Sequence, residues 1–204
     1  NLKALGNAGF TTVSLAGNHI HDSGPEGIED TIRELGALGI DSTGAGMNLA
    51  EARRPVIRER GSVRLGFLSY NCVGPREGWA TSGKAGCAYL RILTHYELDH
   101  AGPGSPPSIY TFVHPDSLAL LEEDISNLRK RCDVVAVALH KGVCHTRAKI
   151  EMYERPVSRA AIDAGADIVI GHHAHILRGI EIYRGKPIYH GLGNFVTVTR
   201  ALSP

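Results

Sequence analysis

The sequence predicts a layered α/β domain, and three observations carry that prediction. Short apolar runs alternate with amphipathic helical stretches along the 204 residues, the pattern of strands covered by helices. Three of those runs end in polar clusters: Leu15-Ala16 leads into GNHIHD (Gly17 to Asp22), Val134 to Leu139 into His140, and Ile168 to Ile170 into GHHAH (Gly171 to His175). Open α/β sheets bind ligands outside the carboxyl ends of their strands, and all three clusters fall there.

The elements follow in order. Leu2 and Leu5 begin a helix stopped at Gly9, so the domain is expected to start upstream of Asn1 and a signal or anchor could precede it. Val13 to Ala16 is the first strand. Pro25 opens a helix where its missing N–H costs nothing. Ile28, Ile32, Leu35 and Leu38 keep one helix face apolar up to Gly39. A short strand is expected at Ile40 to Thr43, then a turn at Gly44-Ala45-Gly46. Val56 to Arg58 and Val63 to Tyr70 read as paired strands around Gly61.

Residues 71 to 110 lack periodicity and carry six Gly and four Pro. A loop that long is usually functional or disordered. It reads as an insertion without a packed element of its own, a lid or wall presenting Trp79, Tyr89, Tyr96, Arg76, Lys84 and Arg91. Pro115 starts a helix with Leu118, Leu121, Ile125 and Leu128 as its buried stripe. Val134 to Leu139 suits a strand covered on both faces. A helix over Met152 to Ala164 and strands at Ile168 to Ile170, Ile180 to Tyr183 and Pro187 to Tyr189 complete the pattern.

Composition bounds the function. Lys plus Arg is 22 and Asp plus Glu 21, a net charge of +1. That balance gives no electrostatic case for nucleic acid, and no apolar stretch approaches a membrane span. Cys72, Cys87, Cys132 and Cys144 form no CxxC pair and are expected as free thiols, which leans the location toward a reducing cytoplasm.

Histidine is the unusual residue: 11 in all, six of them at the three strand ends. Neutral imidazole is the commonest protein ligand for metals. Residues two apart on an extended segment point the same way, so His173 and His175 are expected to aim at one point and His172 away from it. Asn18 reads alternatively as a turn residue satisfying its own backbone, and His140 as a hydrogen-bonded strand end. Lys141 is an anion contact or a solvated loop charge; Asn194 lines the site or caps a turn. His21, His95 and His100 are left outside the ligand set.

Three segments, LGNAGFTTVSLAGNH, GAGMNLAEARRP and IDAGADIVIGHHAHILRGIEIYRGKPIYHGLGNF, resemble the CapA family of poly-γ-glutamate capsule synthesis proteins, whose fold is that of the calcineurin-like metallophosphatases. The resemblance implies a β-sandwich flanked by helices, a single domain over residues 1–204, and two divalent ions (Mn, Fe or Zn) in the complete protein. It assigns Asn18, His140 and His173 to one metal and His175 to its neighbour. His19 becomes a general acid over the substrate, oriented by Asp22, and Lys141 and Asn194 become substrate contacts. The implied activity is hydrolysis of a phosphoester or amide-like bond. The alternative is an accessory role, binding an anionic small molecule or acidic polymer beside partners of a biosynthetic complex. This chain departs from the family pattern where Lys141 replaces Trp, Cys144-His145 replaces Glu-Tyr and His190-Gly191 replaces Tyr-Ser. The family's early Asp motif would lie upstream of Asn1.

Overall fold

A computed structural model of the chain describes residues 2–98, 104 and 106–195; His100 lies outside them. Helix α1 (Leu2–Asn7) leads into strand β1 (Thr12–Ser14), and α2 (Gly24–Ala37) into β2 (Asp41–Thr43). Then come β3 (Ala45–Gly46), α3 (Leu49–Ala52), β4 (Val56–Arg60) and β5 (Val63–Asn71). A 3₁₀ turn at Arg76–Gly78 precedes β6 (Gly86–Cys87), β7 (Ile92–Glu97) and β8 (Ser108–Val113). Helix α4 (Pro115–Arg129), β9 (Val134–His140), α5 (Glu154–Asp163), β10 (Ile168–His172), β11 (Ile180–Tyr183) and β12 (Lys186–Tyr189) finish the order.

The main sheet is six-stranded and mixed, in the order β11-β12-β10-β9-β5-β4. Its centre is parallel: β9 pairs in parallel with both β5 and β10, so Asn71, His140 and His172 stand in one row at the strand ends. The antiparallel partners β4 and β11 are the edges. Three two-stranded sheets accompany it, β1-β2, β3-β6 and β7-β8. A second large sheet, as a sandwich would have, is not formed among the described residues.

Burial explains why these segments settle so. On β9, Val135, Val137 and Leu139 are sealed while Val134, Ala136 and Ala138 keep partial exposure. One face of this strand is therefore fully covered, not both as expected. The sealed cluster is filled from α4 by Leu121, Ile125 and Leu128 and from α5 by Val157, Ala161 and Ile162. Removing one such side chain would cost about 2–5 kcal/mol through lost transfer energy and the cavity left behind.

Segment 71–110 corrects the sequence reading. Ala80, Ala85, Cys87, Ala88 and Leu90 are buried, β6 pairs with β3, and Trp79 stacks on Tyr89 with centroids 4.2 Å apart. Small residues at close spacing let this stretch pack tightly without periodicity. The β7-β8 hairpin that follows Leu90 is mostly exposed. No helix among the described residues is long and apolar enough to cross a membrane.

Candidate metal centre

The parallel centre of the sheet brings the site together. His140 ends β9, and its Nε2 lies 2.8 Å from Asn18 Oδ1 and 3.1 Å from His173 Nδ1. Asn18 arrives from the β1 side, where Leu15 N–H donates to Thr43 O and the Ser14 and Ser69 hydroxyls hydrogen-bond to link β1 to β5. Gly74, at φ 88°, passes so close that a Cβ would stand 2.5 Å from Asn18 Cβ. Only glycine suits that combination of positive φ and contact. The segment after β5 thus walls the Asn18 side of the site.

His173 and His175 arrive by a different route from the expected one. Both have positive φ, 88° and 58°, so the HxH stretch is bent beyond the strand and not extended. Their ring centroids are 6.2 Å apart. The bend also overturns the expectation for His172. Its Nδ1 lies 3.2 Å from His140 Nδ1, inside the cluster, because β10 and β9 put the two residues in register. His175 Nδ1 is 2.8 Å from Asn194 Oδ1, so Asn194 sits at this site as a partner of the imidazole.

His19 Nδ1 meets Asp22 Oδ2 at 2.9 Å. That carboxylate fixes which way the ring turns. The Lys141 readings both fail: its side chain is 0% exposed, with Nζ 2.8 Å from Glu154 Oε2 and 3.2 Å from His190 Nδ1. An ammonium bound to a buried carboxylate is neither solvated nor free for an anion. Two neighbours escaped the sequence reading of the ligand set. Cys144 Sγ is 3.1 Å from His173 Nε2, and His145 stacks on His175 at 5.2 Å. The signal was present, since a Cys-His pair closely follows His140.

Burial is the main force on the imidazole charges, and mutual repulsion adds to it. His140 is lowered to about 3, by desolvation first and then by His173, His172, His175 and His19. His172 and His173 are lowered for the same reasons. His140, His172 and His173 therefore favour the neutral form at pH 7 and offer lone pairs. Two atoms bound at ~2.1 Å to one ion stand roughly 3.0–3.4 Å apart, close to the His140 Nε2–His173 Nδ1 spacing. Asn18 Oδ1, His140 Nε2 and His173 Nδ1 thus fit the three protein donors of an open site. No three His, Cys, Asp or Glu side chains among the described residues could hold an ion by themselves; the amide oxygen is what completes the trio. An open cleft of about 320 Å³ lies elsewhere, bordered by Ile32, Ser42, Arg54 and Val56, and carries none of this chemistry.

Fold and site together define a mixed α/β protein with a neutral imidazole and amide cluster at the ends of its parallel strands. The chain belongs to the family described as "Bacterial capsule synthesis protein PGA_cap", whose model matches residues 1–199. It is 32% identical over 197 residues to the PGA biosynthesis protein CapA of Bacillus subtilis (strain 168), covering 96% of this chain and 45% of that protein. It is 33% identical over 186 residues to the "Probable polyglutamine synthesis accessory protein" of Mycobacterium tuberculosis (strain H37Rv), covering 90% of this chain and 44% of that one. The chain thus spans less than half the length of these relatives. Among solved structures it resembles a provisionally assigned 5'-nucleotidase of Staphylococcus aureus in complex with alpha-ketoglutarate. The TM-score is 0.57 at 14% identity, over 94% of this chain and 34% of that one, a likeness of fold.

Proposed function

We propose that this chain carries the hydrolytic site of a capsule or poly-γ-glutamate synthesis protein, cleaving a phosphoester or amide-like bond with a divalent cation. The observation that carries the reading is the placement of Asn18 Oδ1 and His173 Nδ1 within 2.8 and 3.1 Å of His140 Nε2. These three would hold one ion; His175 would serve a second, with donors from outside the described residues. A bound divalent cation supplies positive charge for attacking and leaving oxygens. The residues do the rest. His19, turned by Asp22, gives a proton to the leaving atom, and the segment at Gly74 closes one side against water.

The test is a panel of phosphoesters and γ-glutamyl amides with Mn²⁺, Fe²⁺ or Zn²⁺, on the full-length protein. His19→Ala should slow turnover by roughly 10²–10⁴-fold while metal content stays unchanged by elemental analysis. Parallel loss of metal would make His19 a ligand instead.

A second reading has its own support. The trio contains no carboxylate, and one of the relatives is named an accessory protein. On that reading the chain binds an acidic polymer at the same cluster without turnover. Tight polymer binding with no hydrolysis across the panel would favour it.

A further inference from the structure

Arg178 is a cation without a counter-charge among the described residues. It lies three residues beyond His175, its backbone N–H donates to Gly191 O, and its side chain crosses close to Gly191. Nη2 donates to Val143 O at 2.7 Å and Thr146 O at 3.1 Å. Nε and Nη1 are buried and have no partner among the described residues. The carboxylates of the neighbourhood are committed elsewhere. Glu154 binds Lys141, Glu151 binds Lys149, and Glu181 binds Arg159, Arg155 and His190. The charge of Arg178 is felt at the buried Lys141. A buried guanidinium with unpaired donors is costly to the fold, so the place favours an anion.

The cover over Arg178 borders the histidine cluster. Val143 and Thr146 flank Cys144, whose Sγ touches His173, and His145, which stacks on His175. Residues 144–149 are exposed and irregular, and His145 and Ala148 hold positive φ of 51° and 52°, conformations that non-glycine residues adopt at a cost. The turn is held to the body by the bonds from Arg178, by His145 N–H to Ala174 O, by Cys144 Sγ at His173 and by the exposed Lys149–Glu151 pair.

We propose that Arg178 is an oxyanion-recognition residue, taking a carboxylate or phosphate of the ligand when the 143–149 turn shifts away from its guanidinium. The inference rests on the reading that the neighbouring imidazole cluster receives an anionic ligand. It adds a fixed charge that selects for that ligand independently of any metal. Guanidinium suits this role because it stays charged and presents several donors in one plane.

The experiment measures binding of inorganic phosphate and of a γ-linked glutamate oligomer by calorimetry, on chelator-treated full chain at low salt. The variants are R178Q, which keeps an amide donor for the Val143 and Thr146 carbonyls, R178M and R178K. Expected is a loss of at least about tenfold in affinity for one or both probes in R178Q and R178M, with R178K intermediate. Mn²⁺ affinity and the R178Q melting temperature should stay as in the wild type. A loss for phosphate alone assigns a phosphoryl ligand, and for the oligomer alone a carboxylate. Wild-type binding of both probes by folded R178Q, or no probe binding by the wild type, overturns the proposal. So does R178M failing to fold while R178Q folds and binds normally, which would make Arg178 only a strap. Turnover dependent on His19 with anion binding unchanged in R178Q sinks this inference and spares the hydrolase. Anion binding lost in R178Q with no turnover does the reverse.

Discussion

Burial, and after it the closeness of the other rings, keeps protons off the imidazoles of His140, His172 and His173, and that has a consequence for acid stability. Burial and the rings of His173, His172, His175 and His19 lower His140 to about 3, against an ordinary value of about 6.5. Below pH 6.5 the unfolded chain gains a proton that the folded chain refuses, so stability falls as pH drops. The contribution is full above about 6.5 and is lost progressively toward about 3. Chelator-treated protein should melt at steadily lower temperature between pH 7 and 5, and His140→Gln should flatten that dependence. A flat wild-type profile over this range would contradict a buried neutral cluster. Which residues cluster was largely legible, because Asn18, His140 and His173 each follow an apolar run. The row position of His172 was not, since it depends on the register of β9 with β10. Nor was the bend at His173 and His175, which needs φ values that alternation does not encode.

At the scale of elements, the join between β9 and α5 depends on one buried ion pair. Lys141 and Glu154 are both 0% exposed and 2.8 Å apart. Glu154 Oε1 also accepts from Glu151 N–H, and Gly142 N–H donates to Tyr153 Oη. Thirteen residues separate the pair, so adjacency gave no hint and Lys141 read as an anion contact or a solvated loop charge. Removing one partner strands the other charge in the interior, whereas replacing both removes the need for a partner. Lys141→Met or Glu154→Gln should each destabilise by about 3–5 kcal/mol, while the double variant with Met at both positions should recover most of that loss. Urea unfolding of the three variants checks this, and equal loss in all three would show that packing matters there more than charge. The helices and strands were mostly legible because Pro25, Gly39 and Pro115 punctuate apolar stripes. Helix α3 and strands β3 and β6 were not; at two to four residues they arise from tertiary contacts and leave no periodic trace.

The whole molecule divides into a sealed body and one arm. Ile92 and Val113 pack against the core, and beyond them Tyr96, Ile109 and Phe112 are exposed on a hairpin whose strands pair with each other in antiparallel register. Two-stranded hairpins are marginal alone in water, so this arm adds little to the stability of the body. Residues 78–90, read from sequence as part of the same insertion, are instead among the body's buried elements. Leu93 and Phe112 face each other in register, so an Asn-Gly turn can close the arm directly between them. Replacing residues 94–111 by that dipeptide should leave the melting temperature within a few degrees and Mn²⁺ affinity unchanged. Removing 78–90 should unfold the protein, because Ala80, Cys87, Ala88 and Leu90 would leave the core. Anion binding by the shortened protein then decides where the ligand wall stands. Unchanged binding leaves that role to the Gly74 segment beside Asn18, while weakened binding with unchanged stability makes the arm part of the wall.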